Sequence, residues 1–243
     1  KKKVNWTIWW FKMKNILLIG GSYGIGSSLS KILADNNNVI VASRTEPEFK
    51  HNNVKYLKFD AKTDSLNVNE LPTTIDGFVY LPGSINLRPF KGLSLESFQE
   101  DLDINVLSLI RVLKTILPNL STSNNASIVF LSTVAVSKGM PFHSSVALSK
   151  GAIEGLAKSL AAEFAPKIRV NVIAPSIVNT PLANRFLNNE IKVQKSSEKH
   201  PLNRIGNKDD ISEMINFLLS ENSTWITGQI ISVDGGLSTI IKN

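Results

Sequence analysis

The chain has 243 residues, 42% of them hydrophobic and 19% charged, with no cysteine and a formal net charge of +7. That composition suits one α/β domain with a large core and excludes a disulfide framework, a thiolate metal site and a cysteine nucleophile. Lys1, Lys2, Lys3 and Lys12 supply four of the positive charges ahead of the first strand. The remaining lysines are scattered, without the basic stripe and interleaved aromatics of a nucleic-acid surface. His51, His143 and His200 have no metal-ligand spacing.

Residues 1–12, KKKVNWTIWWFK, hold three of the four tryptophans. Their apolar part is too short to span a bilayer, and no small-residue cleavage site of a signal peptide follows. They read as an extra segment outside the fold, with Met13 as the natural start and 13–243 a single domain. The alternative is an interfacial anchor of lysine and tryptophan. Residues 16–19 are a short apolar run that reads as a buried strand, followed by Gly20-Gly21-Ser22-Tyr23-Gly24-Ile25-Gly26. Ile25, Leu29, Ile32 and Leu33 then recur at helical spacing. Gly20 permits a tight turn, Gly24 a close approach of backbone to phosphate, and Gly26 close packing of helix on strand. The N–H groups of Ser22, Tyr23 and Ile25 open the helix toward an anion.

Strand signals at 39–42, 54–59, 77–81, 128–131, 170–174 and 229–233 alternate with helix signals. The expected fold is therefore a three-layer, doubly wound Rossmann-type α/β fold with a parallel sheet of about seven strands. Phe98, Leu102, Val106, Leu109, Leu113 and Ile116 trace one long amphipathic helix, and Val146, Ile153, Leu156, Leu160 and Phe164 a second. The segment 180–199 is more polar and reads as a mobile helical lid. Asp209 or Asp210 is the expected cap of a helix reaching Leu219.

In open α/β sheets ligands bind beyond the carboxyl ends of the strands. Ser43-Arg44 follows the second strand, where serine and arginine suit a ribose 2′-phosphate better than a free hydroxyl. That choice favours NADP(H) over NAD(H). Asp60 follows the third strand, placed for an adenine edge or for capping a helix. Leu81-Pro82-Gly83 follows the fourth, where backbone could pass a ribose. Asn105 and Lys150 each interrupt an apolar helix face, where a buried amide or ammonium needs partners. Thr133 offers a hydroxyl past the fifth strand.

Together these residues resemble the short-chain dehydrogenase/reductase family, over residues from about Met13 to Asp234. The glycine turn, Asp103-Ile104-Asn105-Val106, Ile168-Arg169-Val170-Asn171-Val172-Ile173-Ala174-Pro175 and the ending Val233-Asp234-Gly235-Gly236 stand in the family's order. The resemblance implies cofactor contacts at Pro175, Val178 and Thr180, the last at the nicotinamide carboxamide. It also implies a homotetramer or homodimer built through the two long helices, a small-molecule substrate, and neither nucleic-acid nor membrane partners. A cytoplasmic setting is expected. Of the family's YxxxK motif, Lys150 remains but Val146 stands at the tyrosine, and Thr133 replaces the serine. Tyr80-Leu81-Pro82-Gly83 keeps only the glycine of the family's NNAG.

Valine has no proton to donate, so the expected chemistry uses a substitute acid. His143 precedes Lys150 by seven residues, nearly two helical turns, a spacing similar to the YxxxxxxK motif of the family's enoyl-thioester reductase branch. A water held by Lys150, or Tyr80 turned inward, are lesser candidates. The expected activity is NADPH-dependent reduction of a carbonyl or activated C=C, with Asn105, Thr133, His143 and Lys150 as the catalytic set. The alternatives are a dinucleotide-binding protein that has lost turnover, and a lyase or epimerase that would use the cofactor transiently.

Overall fold

A computed structural model of the protein describes residues 13–241; the expectation for residues 1–12 falls outside these. Seven strands form one sheet in the order β3-β2-β1-β4-β5-β6-β7. They are β1 (Lys14–Ile19), β2 (Asn37–Ser43), β3 (Val54–Lys58), β4 (Gly77–Tyr80), β5 (Ala126–Leu131), β6 (Ile168–Pro175) and β7 (Ile230–Val233). Every pairing is parallel, so the expected architecture is the one found.

Helices cover both faces, which is why the strands are apolar on both sides. On β1, Leu17 and Ile19 point into one cluster while Ile16 and Leu18 point into the other. The first cluster lies under α3 (Ser108–Ser121) and α4 (Ser144–Phe164), which bring Leu109, Val112, Ile116, Ile153 and Ala157. The second lies under α1 (Gly24–Ala34) and α6 (Lys208–Leu219), through Leu29, Leu33, Ile211 and Ile215. A carboxylate of α6 ties these two helices together: Ser28 of α1 donates to Asp209 at 2.5 Å.

Two expectations need correcting. The long helix around Asn105 is not uniform: α2 (Leu95–Leu102) passes through a π turn, Asp103–Leu107, into α3. A polar side chain on the buried face holds a carbonyl there and opens the ladder. The run Leu95–Ser121 is long and apolar enough to cross a membrane by length and composition, but Leu109, Leu113, Ile116 and Leu120 bury its apolar face in the core. Nor does Asp209 or Asp210 cap α6. Asn207 is the cap, accepting from the Asp210 backbone N–H while Asp210 accepts from that of Asn207. Asp210 is thus the third helical residue of a capping box, and Asp209 is left for Ser28.

The chain crosses over between β1 and β4, the two strands at which the winding reverses. Their carboxyl ends diverge and leave a crevice. The segment expected as a lid is helical, with a 3-10 turn over Pro181–Phe186 and α5 (Glu190–Glu198), and its residues line one side of that crevice.

Candidate active site

The crevice is a cavity of about 810 Å³. Its floor is the turn between β1 and α1. Gly20 and Gly24 have φ of +85° and +59°, a region that side chains with a Cβ rarely enter. A Cβ on Gly26 would stand 2.4 Å from the Gly20 carbonyl oxygen, so only glycine lets α1 start this close to the strand. Ser22 and Tyr23 line the cavity beside them with Ile25, and no side chain caps α1. The N-terminal N–H groups of that helix thus remain available to an anion.

At the end of β2, Arg44 lines the cavity with Ser43 and Thr45. Ser43 donates to the Thr45 carbonyl at 2.8 Å, and the hydroxyls of Thr45 and Ser22 lie 3.0 Å apart. Thr45 therefore joins the glycine turn to Arg44, a hydroxyl that the sequence reading passed over. Asp60 lines the cavity too, but it caps a turn rather than a helix: its Oδ1 accepts from the Lys62 N–H at 2.9 Å. Leu81, Pro82 and Gly83 form the wall beyond β4, and Pro175, Val178 and Thr180 the wall beyond β6.

The reacting end of the cavity holds Thr133, His143, Val146 and Lys150. Lys150 is buried and donates to the Leu131 carbonyl at 2.9 Å. Burial pulls its ammonium down to about 8, against the opposing pull of Asp101. His143 stands one residue ahead of the first turn of α4. Its Nδ1 lies 2.7 Å from the Pro141 carbonyl. A carbonyl only accepts, so Nδ1 carries a proton, and Nε2 is the nitrogen left for exchange with a ligand. Between His143 and Lys150, Val146 presents only methyl groups. Tyr80 is not turned inward: it is buried, its hydroxyl donates to the Ile104 carbonyl at 2.8 Å, and burial pushes its ionisation upward.

Asn105 does not line the cavity but sits behind Gly83. The two hydrogens of its Nδ2 are divided among the Asp101 carbonyl at 2.8 Å and the hydroxyls of Ser84 and Ser149 at 3.1 and 3.3 Å, so that one of them is shared. Ser84 itself donates to Asp101 and Ser149 to the Val146 carbonyl, so both hydroxyls are acceptors toward Asn105 and the amide orientation follows. Asn105 Oδ1 is then left buried without a hydrogen-bond partner among the described residues. A Cβ on Gly83 would lie 3.1 Å from that oxygen and 3.4 Å from Lys150 Nζ, so a side chain there would crowd the Asn105 amide. Lys150, which lines the cavity beside Gly83, presents an ammonium that fits a hydroxyl-bearing ligand such as a nucleotide ribose.

The sequence reading missed Asp101, a fully buried carboxylate. It lies four residues before Asn105 on the same helix face, and that spacing was the signal available for finding it. It also missed His200, which lines the cavity from the end of α5 and pairs its Nε2 with the Ser176 hydroxyl at 2.8 Å.

Sheet order, reversal point and glycine-floored crevice define a Rossmann-type α/β protein whose ligand cleft lies at the carboxyl edge of the sheet. A family profile described as "Enoyl-(Acyl carrier protein) reductase" matches residues 61–238. The 3-oxoacyl-acyl-carrier-protein reductase FabG of Buchnera aphidicola is 30% identical over 241 residues, covering 92% of this chain and 97% of that protein. The solved structure of a short chain dehydrogenase family protein from Francisella tularensis superposes with a TM-score of 0.86 at 32% identity, over 94% of this chain and all of that one. The structure of ElxO with NADP bound gives 0.84 at 27% identity, over 93% of this chain and 99% of that one. The chain belongs to the short-chain dehydrogenase/reductase family of oxidoreductases.

Proposed function

We propose that this protein is an NADPH-dependent reductase of a carbonyl or activated C=C substrate in which the family's tyrosine has been replaced as proton donor, with His143 in that role. The carrying observation is that one cavity joins the glycine turn, Arg44 and Lys150. NADP in the ElxO relative supports the cofactor choice, and the names of the reductase profile and of the FabG relative support the direction of reaction.

NADPH, when bound, supplies the hydride. Gly20, Ser22, Tyr23, Gly24, Ile25 and Gly26 would hold its pyrophosphate by backbone N–H groups, and Ser43, Arg44 and Thr45 its 2′-phosphate by charge-assisted bonds. Asp60, Leu81, Pro82 and Gly83 would bound the adenosine half, and Lys150, Pro175, Val178 and Thr180 the nicotinamide half. Thr133 donates its hydroxyl to the acceptor oxygen. The imidazolium of His143 releases a proton from Nε2 while Nδ1 stays bonded to the Pro141 carbonyl. Val146 excludes water from the space between.

The test is calorimetric titration with NADPH and NADH, followed by NADPH oxidation against ketone, aldehyde and enoyl-thioester substrates. NADPH binds more tightly in the wild type, and Arg44→Glu removes that preference; an unchanged preference in the variant refutes the cofactor assignment. Val146 also supports a second reading, a dinucleotide-binding protein without turnover. That reading holds if NADPH binds and no substrate oxidises it. Residues 13–243 as one domain, a cytoplasmic setting and a self-associated state belong to the same proposal.

A further inference from the structure

Asp101 is more tightly held than its place in the sequence foretells. Its side chain is wholly buried. One carboxylate oxygen accepts from Ser84 and from Asn86 Nδ2, the latter at 2.8 Å; the other accepts from Ser145. Those donors come from the loop after β4 and from the first turn of α4, while Asp101 belongs to α2. Three elements therefore meet on one carboxylate, next to Gly83 through Ser84 and next to Val146 through Ser145. Hydroxyl and amide donors satisfy its lone pairs but leave its charge in place, and a buried charge needs a counter-charge.

Lys150 is the cation at hand: no ion pair within 4 Å joins it to the carboxylate among the described residues, but its Nζ would lie 3.4 Å from a Cβ on Gly83, whose neighbour Ser84 donates to Asp101. Glu100 and His143 line the same cavity as Lys150, and Glu154 follows it by one turn on α4. Glu154 is taken up by Ser132 at 2.5 Å and Tyr80 by the Ile104 carbonyl. Asp101 is the residue whose charge acts on the Lys150 ammonium.

We propose that Asp101 is a positioning residue: its carboxylate holds Lys150 as a cation facing the cleft and fastens the loop 84–86 to the start of α4. What that charge serves rests on the NADPH reading above, but the pairing itself does not. Where the family relies on a tyrosine beside its lysine, this chain sets an aspartate behind it. The buried amine is a stronger proton holder with the carboxylate present, so ligand binding through Lys150 persists to higher pH.

The experiment compares wild type with Asp101→Asn. In the ligand-free proteins, reductive methylation by formaldehyde and cyanoborohydride is followed at Lys150 by peptide mass spectrometry across pH, because only the unprotonated amine reacts. The midpoint falls by about 0.7 to 1.3 pH units in Asp101→Asn. NADPH affinity, by fluorescence titration, is the same for both proteins at pH 6 and roughly 3- to 10-fold weaker in the variant at pH 8, since one pH unit is a factor of 10. An unmoved methylation midpoint, or an equal loss of affinity at both pH values, overturns the proposal, because a purely structural role predicts the latter. Absence of NADPH binding in both proteins with the midpoint still shifted refutes the cofactor reading and keeps the pairing. Should Asp101→Asn show no cooperative melting, Ser84→Ala and Ser145→Ala replace it. Each removes a donor that offsets the carboxylate charge, so the Lys150 midpoint rises; a midpoint unmoved in both overturns the proposal.

Discussion

At the level of single side chains, the proposed chemistry turns on Val146. The cleft keeps a lysine, a threonine hydroxyl and an asparagine behind a glycine wall, and the missing group is the acid between them. Val146→Tyr therefore creates ketone reductase activity or raises it, measured as NADPH oxidation. His143→Ala lowers the turnover of the wild-type protein by about 10²–10⁴-fold, the usual worth of a positioned acid, and leaves NADPH affinity intact. A rate unchanged in His143→Ala removes that residue from the mechanism. Lys150 gives a stability signature free of any substrate. Burial lowers it from 10.5 to about 8 in the folded chain. Between those values the unfolded chain holds a proton that the folded chain has released, so stability rises with pH across that window. Below it both states are protonated and the cost of burying the cation is fully present. Lys150→Met carries no such group. The difference in unfolding free energy, wild type minus Lys150→Met, therefore increases from about pH 8 toward pH 10 in denaturant titrations.

Helix ends and turns carry the next layer of control. Asn207→Ala removes the side-chain half of the α6 capping box and lowers stability by about 1 kcal/mol, read as a shift in the denaturant midpoint at constant slope. Because α6 holds α1 through Asp209 and Ser28, the loss reaches the helix that presents the glycine turn. Gly26→Ala is more severe, since its Cβ would meet the Gly20 carbonyl at 2.4 Å. Backbone must then move where the pyrophosphate would sit, and NADPH affinity falls along with stability. These elements also show what could be read in advance. Periodicity located all seven strands: the central five are nearly continuous apolar runs buried on both faces, and the edge strands β3 and β7 keep alternating or short apolar positions between turns. Arg44 and Thr133 were legible because each follows a strand end, and Lys150 because it interrupts an apolar helix face; His143, picked by its spacing from Lys150, stands just ahead of that helix, and all four line one cavity. The π turn was hidden, because Leu102, Val106 and Leu109 keep an apolar face whether or not one residue is inserted. For Asp101 the spacing from Asn105 marks only the helix face, and its partners Ser84, Asn86 and Ser145 are distant in sequence. The α6 cap was misplaced by two or three residues because Asp209 and Asp210 compete with Asn207 for the same role in any local reading.

At the scale of the whole molecule, the sheet is sealed on both faces, yet apolar side chains remain outside. Leu107 on the π turn and Leu148 on α4 are each about half exposed, and Trp225, just ahead of β7, is 99% exposed. Single exposed leucines are ordinary; a fully exposed tryptophan is the informative one, since aromatic side chains are enriched at the buried centres of interfaces. Leu107 and Leu148 belong to the two long helices through which the family commonly associates, and Trp225 lies just ahead of β7, the last strand of the sheet. Two separate patches on one subunit generate a tetramer, whereas one generates a dimer. Sedimentation equilibrium on the wild type is therefore expected to give four copies. The double variant Leu107→Glu/Leu148→Glu, which sets like charges at the helical patch, falls to the dimer built through the other edge. Trp225→Glu falls to the dimer built through the helices. Combining all three substitutions gives a monomer that keeps its melting transition. A wild type that sediments as a monomer at micromolar concentration refutes the association, and the exposed tryptophan would then need another partner.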